Sequence, residues 1–135
     1  MKDQLGRHIN LKSTPQRIIS LVPSQTELLY DLGLEERIIG VTKFCVHPKR
    51  ALVNKTVVGG TKDVKYELIQ SLKPDVILCN KEENTKEIVS TLEKISTVHV
   101  SDIYTLQDSL ALIKQYGELF SAENSAENLI TTITS

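Results

Sequence analysis

The chain has 135 residues, 40% of them hydrophobic and 24% charged, enough for one globular domain that buries about two-thirds of its unfolded surface and too few for two. Sixteen basic residues against seventeen acidic ones leave a net charge of -1, and no basic run interleaved with aromatics occurs, which argues against a nucleic-acid partner. No stretch approaches the ~20 apolar residues of a membrane span. Two cysteines, Cys45 and Cys79, are too few for a disulfide framework.

Residues 1–16 are polar, with Leu5, Ile9 and Leu11 in loose alternation, and read as a short hairpin or extended arm at a sheet edge. The opening MKDQLGRHINLKSTPQ lacks the apolar core of a secretory signal, so the alternatives are a cytoplasmic location or an export signal outside this chain. Ile18, Ile19, Leu21 and Val22 form the apolar run expected of a parallel strand buried on both faces, stopped by Pro23. Ser24-Gln25-Thr26-Glu27 fits a capping box and predicts a helix starting at Gln25. Leu28, Leu29 and Leu32 supply its apolar stripe, and Gly33 a left-handed C-terminal cap. Ile38, Ile39 and Val41 make the second strand of a right-handed βαβ unit.

After the loop KFCVHPKRALVNK, Lys55 to Val58 reads as a third strand closed by Gly59-Gly60. Thr61-Lys62-Asp63 then leads into a helix with Leu68, Ile69 and Leu72 on one face, ended by Pro74. Asp75 to Cys79 is the fourth strand, followed by the polar turn Asn80-Lys81-Glu82-Glu83-Asn84, whose acids suit the first turn of a helix carrying Ile88, Val89, Leu92 and Ile95. Thr97 to Val100 is a fifth strand, and Thr105 with Asp108 caps a helix through Phe120. Strands alternating with helices predict an α/β domain with a mostly parallel five-stranded sheet. Ser125 to Ser135 begins another helix, whose Leu129, Ile130 and Ile133 lack a following element to cover them.

In open parallel sheets ligands bind beyond the C-terminal strand ends. Five segments occupy that edge: Pro23 to Thr26, Lys43 to Pro48, Gly59 to Asp63, Asn80 to Asn84, and Ser101 to Tyr104. Dinucleotide, P-loop, nucleophile-elbow and zincin motifs are all absent, which leaves a small α/β enzyme without visible machinery. Gly59-Gly60-Thr61-Lys62 can be an anion cradle or a plain turn needing positive φ. Cys45, His47 and Cys79 on one edge allow a second reading, a metal-binding or redox module. With both β1 and β3 between their strands, the cysteines would stand on the order of 14 Å apart, beyond disulfide reach. His8 reads as solvated and His99 as structural.

The stretches RIISLVPSQTELLYDLGLEERIIGVT and VVGGTKDVKYELIQSLKPDVILCN, with the five-strand order, resemble the N-terminal lobe of substrate-binding proteins of ABC importers for corrinoids and iron chelates. The resemblance covers roughly Asp3 to the end. It implies a Rossmann-like three-layer lobe over residues 17–120, an arm over 1–16, and the start of a rigid inter-lobe helix over 121–135. It also implies a periplasmic or extracytoplasmic setting, a small-molecule ligand held between two lobes, an ABC permease as partner, no catalysis and no resident cofactor. By position, Pro23, Ser24, Gln25 and Thr26 match the cleft-lining loop, Phe44 a ligand-flanking aromatic, and Gly60-Thr61 the place where vitamin-binding members put an aromatic side chain. Cys45, His47, Lys62 and Lys81 share these rim segments and complete the candidate ligand-binding set. Glu67 matches the glutamate that docks on permease arginines. The turn Lys81-Glu82-Glu83 departs from the vitamin-binding members and suits a more polar ligand. A severed lobe would expose Leu129, Ile130 and Ile133 and favour self-association.

Overall fold

A computed structural model describes all residues 1–135. Five strands, β1 (Ile18–Ser20), β2 (Ile38–Val41), β3 (Thr56–Val57), β4 (Val76–Asn80) and β5 (Thr97–Ser101), form one sheet in the order β3-β2-β1-β4-β5, and every neighbouring pair is parallel. The helices are α1 (Pro23–Asp31), α2 (Arg50–Asn54), α3 (Tyr66–Leu72), α4 (Lys86–Glu93), α5 (Leu106–Leu119) and α6 (Glu123–Thr134).

The period-two alternation of a strand sorts the apolar residues into two cores. Ile18, Val76 and Leu78 face Leu29 of α1 and Leu32 at its C-terminal cap, Leu112, Ile113 and Tyr116 of α5, and Ala126 of α6. Ile19, Ile77 and Cys79 face Ile69 of α3 and Ile88 and Leu92 of α4. Strands buried on both faces are why the sequence shows unbroken apolar runs there. The result is a three-layer α/β lobe whose strand order reverses between β1 and β4.

Several boundaries differ from expectation. Helix α1 starts at Pro23, not Gln25, and no capping box forms: Val22 is the cap residue in extended conformation, without a side-chain cap bond. Pro23 occupies the first helical position, where its fixed φ fits and its missing N–H costs nothing. That places Ser24 inside the helix, and its hydroxyl donates to Gln25 Oε1 instead of accepting from Glu27. Glu82 and Glu83 precede α4 in a separate turn, and Thr85 caps that helix by accepting from the Ile88 amide. The Thr105–Asp108 capping box of α5 forms as expected, and Gly33 adopts φ +75° after α1.

At the far end, α5 stops at Leu119 and the chain turns through Ser121, at φ +54°, into α6. Gly117 is required here, since a Cβ on it would lie 2.6 Å from the Cβ of Ala126. The packing corrects the expectation of a bare apolar stripe: Leu129 and Ile130 rest half-buried on the core, and only Ile133 is well exposed, at 43%.

The N-terminal residues fold back through an antiparallel bridge between Lys2 and His8 and cover the outer edge of β5. The Gln4 amide donates to the Val100 carbonyl at 3.2 Å, and the Asp3 carboxylate accepts from the amides of Leu5, Arg7 and Val100 at 3.0, 3.0 and 3.1 Å. Asp3→Ala strands these buried donors and removes the Arg7 pair, and is expected to cost about 1–3 kcal/mol in urea unfolding, against a near-zero cost for an exposed control.

His99 is buried on β5, with Nε2 2.8 Å from Gln115 Oε1 and its ring edge-on to Tyr116. Burial lowers its pKa, only partly offset by Gln115 and the Asp3 carboxylate. A folded-state pKa below the unfolded value of about 6.5 gives stability that is full above that pH and is lost as pH falls through and below it. Urea midpoints from pH 7.5 to 4.5 are expected to show this loss, with a shallower slope in His99→Gln.

Candidate functional site

The C-terminal strand ends form one rim, and its foundation is a buried polar network. Ser101 Oγ, at the end of β5, accepts from Gln25 Nε2 at 2.7 Å and Asn80 Nδ2 at 3.0 Å, and donates to the Cys79 carbonyl. Asn80 Oδ1 accepts from the amides of Glu82 and Glu83 at 2.9 and 3.1 Å, folding the turn after β4. Asn84 closes that turn, accepting from the Asn80 amide at 2.9 Å and donating to the Thr61 carbonyl at 2.9 Å. Lys62 Nζ reaches the Glu83 carbonyl at 2.8 Å. The loop after β3 is therefore fastened to the loop after β4, across the reversal in strand order where open α/β sheets hold ligands.

Above this foundation stand exposed side chains. Phe44 is 53% exposed and leans over Gly60, where a Cβ would come within 3.2 Å of its ring. At the other end of the rim Tyr104 is 65% exposed, and its hydroxyl donates to Glu82 Oε1 at 2.9 Å. Lys81 Nζ lies 5.8 Å from the Tyr104 ring centroid. The Tyr104 hydroxyl, and then Asp102, hold the Lys81 ammonium charged above its ordinary range, while the Glu82 carboxylate raises the Tyr104 pKa.

The candidate set thus divides. Ser24, Phe44, His47, Lys62 and Lys81 are exposed, and Pro23 and Thr61 half-buried. Gln25, Thr26, Cys45 and Gly60 are buried and support the rim from beneath. Thr26 Oγ1 bonds the Val22 carbonyl at 3.2 Å and lies 3.2 Å from Cys45 Sγ. The Gly60 amide is spent on the Asp63 carbonyl at 2.8 Å, which withdraws it from a backbone anion cradle. Gly59 takes φ +115°, and a side chain on it would collide with the Asp63 carbonyl, so the plain-turn reading holds. His47 sits aside, lining a depression of about 310 Å³ on the flank of α1 with Glu27, Tyr30 and Arg50. Glu67 is exposed in the first turn of α3, at the rim end of the lobe.

The second reading, a metal or redox module, fails on geometry. Cys45 packs into the core under α1 and α5, and Cys79 into the core under α3 and α4, on opposite faces of the sheet. No three His, Cys, Asp or Glu side chains converge to hold a metal ion. Only β1 lies between β2 and β4, not both β1 and β3 as expected, so those strands are about 10 Å apart, still beyond disulfide reach.

The profile of the periplasmic binding protein family matches residues 18–135. The chain belongs to this family. An uncharacterised ABC transporter substrate-binding lipoprotein of Bacillus subtilis is 31% identical over 98% of the chain, and a vitamin B12-binding protein of Pectobacterium carotovorum 33% identical over 87%. The chain spans less than half the length of these curated relatives, 43% and 42%. Among solved structures, a possible iron-binding solute-binding protein of Staphylococcus epidermidis superposes with TM-score 0.80 at 27% identity, over 89% of this chain and 48% of that one. The B12-binding protein of Vibrio cholerae superposes with TM-score 0.80 at 25% identity, over 88% and 47%.

Tyr104 was not singled out by the sequence beyond its place in the fifth rim segment, and Asn84 and Ser101 showed no sign of organising the rim. Burial pushes the Cys79 thiol up to about 12, and Cys45 is also fully buried. Both thiols are expected to resist a disulfide reagent at pH 8 in the folded chain and both to react in denaturant; rapid reaction of either in the native state contradicts this packing.

Proposed function

We propose that the chain is the N-terminal lobe of the solute-binding component of an ABC-type importer, and that its strand-end rim is one wall of a cleft for a corrinoid or metal chelate. The observation that carries this reading is the rim itself: a hydrogen-bonded floor at the strand-order reversal, with Phe44 and Tyr104 exposed at its two ends. Two large rings held off the floor offer stacking surface to a bulky ligand, and Ser24, Thr61, Lys62 and Lys81 offer polar contacts between them. The names of the relatives, a B12-binding protein and an iron-binding solute-binding protein, support the ligand class.

In this reading a second lobe supplies the opposite wall, the site binds without catalysing, and the protein works outside the cytoplasm. Glu67 is the contact offered to a permease: it is exposed at the rim end of α3 and has no side-chain partner within the lobe. A ligand covered by one wall leaves much of its surface wet, so this lobe alone binds weakly.

The test is titration of cobalamin, cobinamide, haem and ferric chelates against this chain and against a two-lobe form. Weak saturable binding by the lobe and tight binding by the longer form are expected for at least one of them. Phe44→Ala and Tyr104→Ala should each weaken it about fivefold or more. Failure of every ligand to bind the two-lobe form, or indifference to both substitutions, would refute the proposal.

A further inference from the structure

A second concavity adjoins the rim and runs along the outer edge of the sheet. It has a volume of about 480 Å³ and runs between the N-terminal arm (Leu5, Arg7), β5 (Val100) and α4 (Lys86, Val89, Ser90, Glu93). Lys81, Glu82 and Asn84 bound it at the rim end. From Lys86 to Glu93 the helix advances about 10 Å, which sets the length of the trough. Its volume falls within the range that small-molecule sites occupy.

Charge and hydrogen bonding select the occupant. Both acids of the trough are engaged, Glu93 with Arg7 at 2.9 Å and Glu82 with the Tyr104 hydroxyl. Arg7 is in turn held by Asp3 and Glu93. Of the two lysines at the rim end, Lys86 forms no ion pair with any side chain, and Lys81 forms none within 4 Å, though its ammonium lies beside the Tyr104 ring and feels the Asp102 and Glu82 charges. Leu5, Val89 and Val100 give the trough an apolar middle, extended by the aliphatic stems of the lysines. A peptide strand added to the edge of β5 is disfavoured, because the arm already takes both backbone groups of Val100.

We propose that this trough binds a single-chain anionic amphiphile, with its acid group between Lys81 and Lys86 and its alkyl chain along Leu5, Val89 and Val100. The site shares Lys81, Glu82 and Asn84 with the rim, but the argument for it does not depend on the function proposed above. It touches the rim through Lys81 and Glu82, so an occupant would sit beside Tyr104.

The probes are dodecanoate and dodecyltrimethylammonium, each below its micelle concentration, titrated into the isotopically labelled chain and followed by amide resonances. Dodecanoate is expected to saturate and to shift the amides of Leu5, Lys81, Lys86, Val89 and Val100, while the cationic probe of equal chain length does not saturate. The double variant Lys81→Gln with Lys86→Gln should weaken dodecanoate about tenfold, and Val89→Asp, which places a charge on the apolar floor, should abolish binding. Both variants carry changes at exposed or half-buried positions, and a native amide spectrum verifies their fold. The proposal is overturned by absence of dodecanoate binding, by equal binding of the two probes, by shifts centred on Phe44, Val46 or Ile133, or by unchanged affinity in natively folded variants.

Discussion

The hydroxyl of Ser101 holds the functional edge of this lobe together. It is fully buried and gathers Gln25 from the start of α1, Asn80 from the end of β4 and the Cys79 carbonyl into one network. Polar atoms taken out of water must be paired, and the requirement is strict where one hydroxyl serves three partners at once. Satisfying it ties the start of α1 to the end of β4 and orients Asn80, whose Oδ1 folds the turn after β4. The rim loops inherit their shape from that arrangement, so the edge they form is built by the lobe's own hydrogen bonds.

This constraint explains how the rim separates support from contact. Gln25, Thr26, Cys45 and Asn84 are buried and spent on hydrogen bonds within the lobe, so they hold shape and have little reach. Phe44, Tyr104 and Lys81 stand outside, where substitution changes chemistry without loosening the floor, whereas exposed Lys62 also ties two rim loops together. A scaffold divided in this way suits a family whose members hold different ligands on one fold, since recognition can change at the exposed tier alone.

Much of the fold was legible because its signals are local. Runs such as Ile18 to Val22 and Val76 to Cys79 declare strands buried on both faces, and Thr105 with Asp108 declares a helix start. The Ser24–Glu27 pattern misled because Pro23 can itself open the helix, which moves every following residue two steps further in. The roles of Asn84 and Ser101 were hidden because their partners are distant: Thr61 lies 23 residues from Asn84, and Gln25 lies 76 residues from Ser101. The contact of Gly117 with Ala126 depends likewise on how α5 meets α6, which no window of either helix encodes. Position along the chain placed the five segments at the strand ends, whereas burial decided which of their residues face outward.

The most direct test of the account is amide exchange on the folded lobe, resolved by residue. The amides of Asn80, Glu82, Glu83 and Asn84 have acceptors inside the turn, and they should exchange as slowly as the β4 amides beside them and speed up together in Ser101→Ala. Exchange of that turn at the rate of an unstructured loop in the unmodified chain would contradict a preformed binding wall.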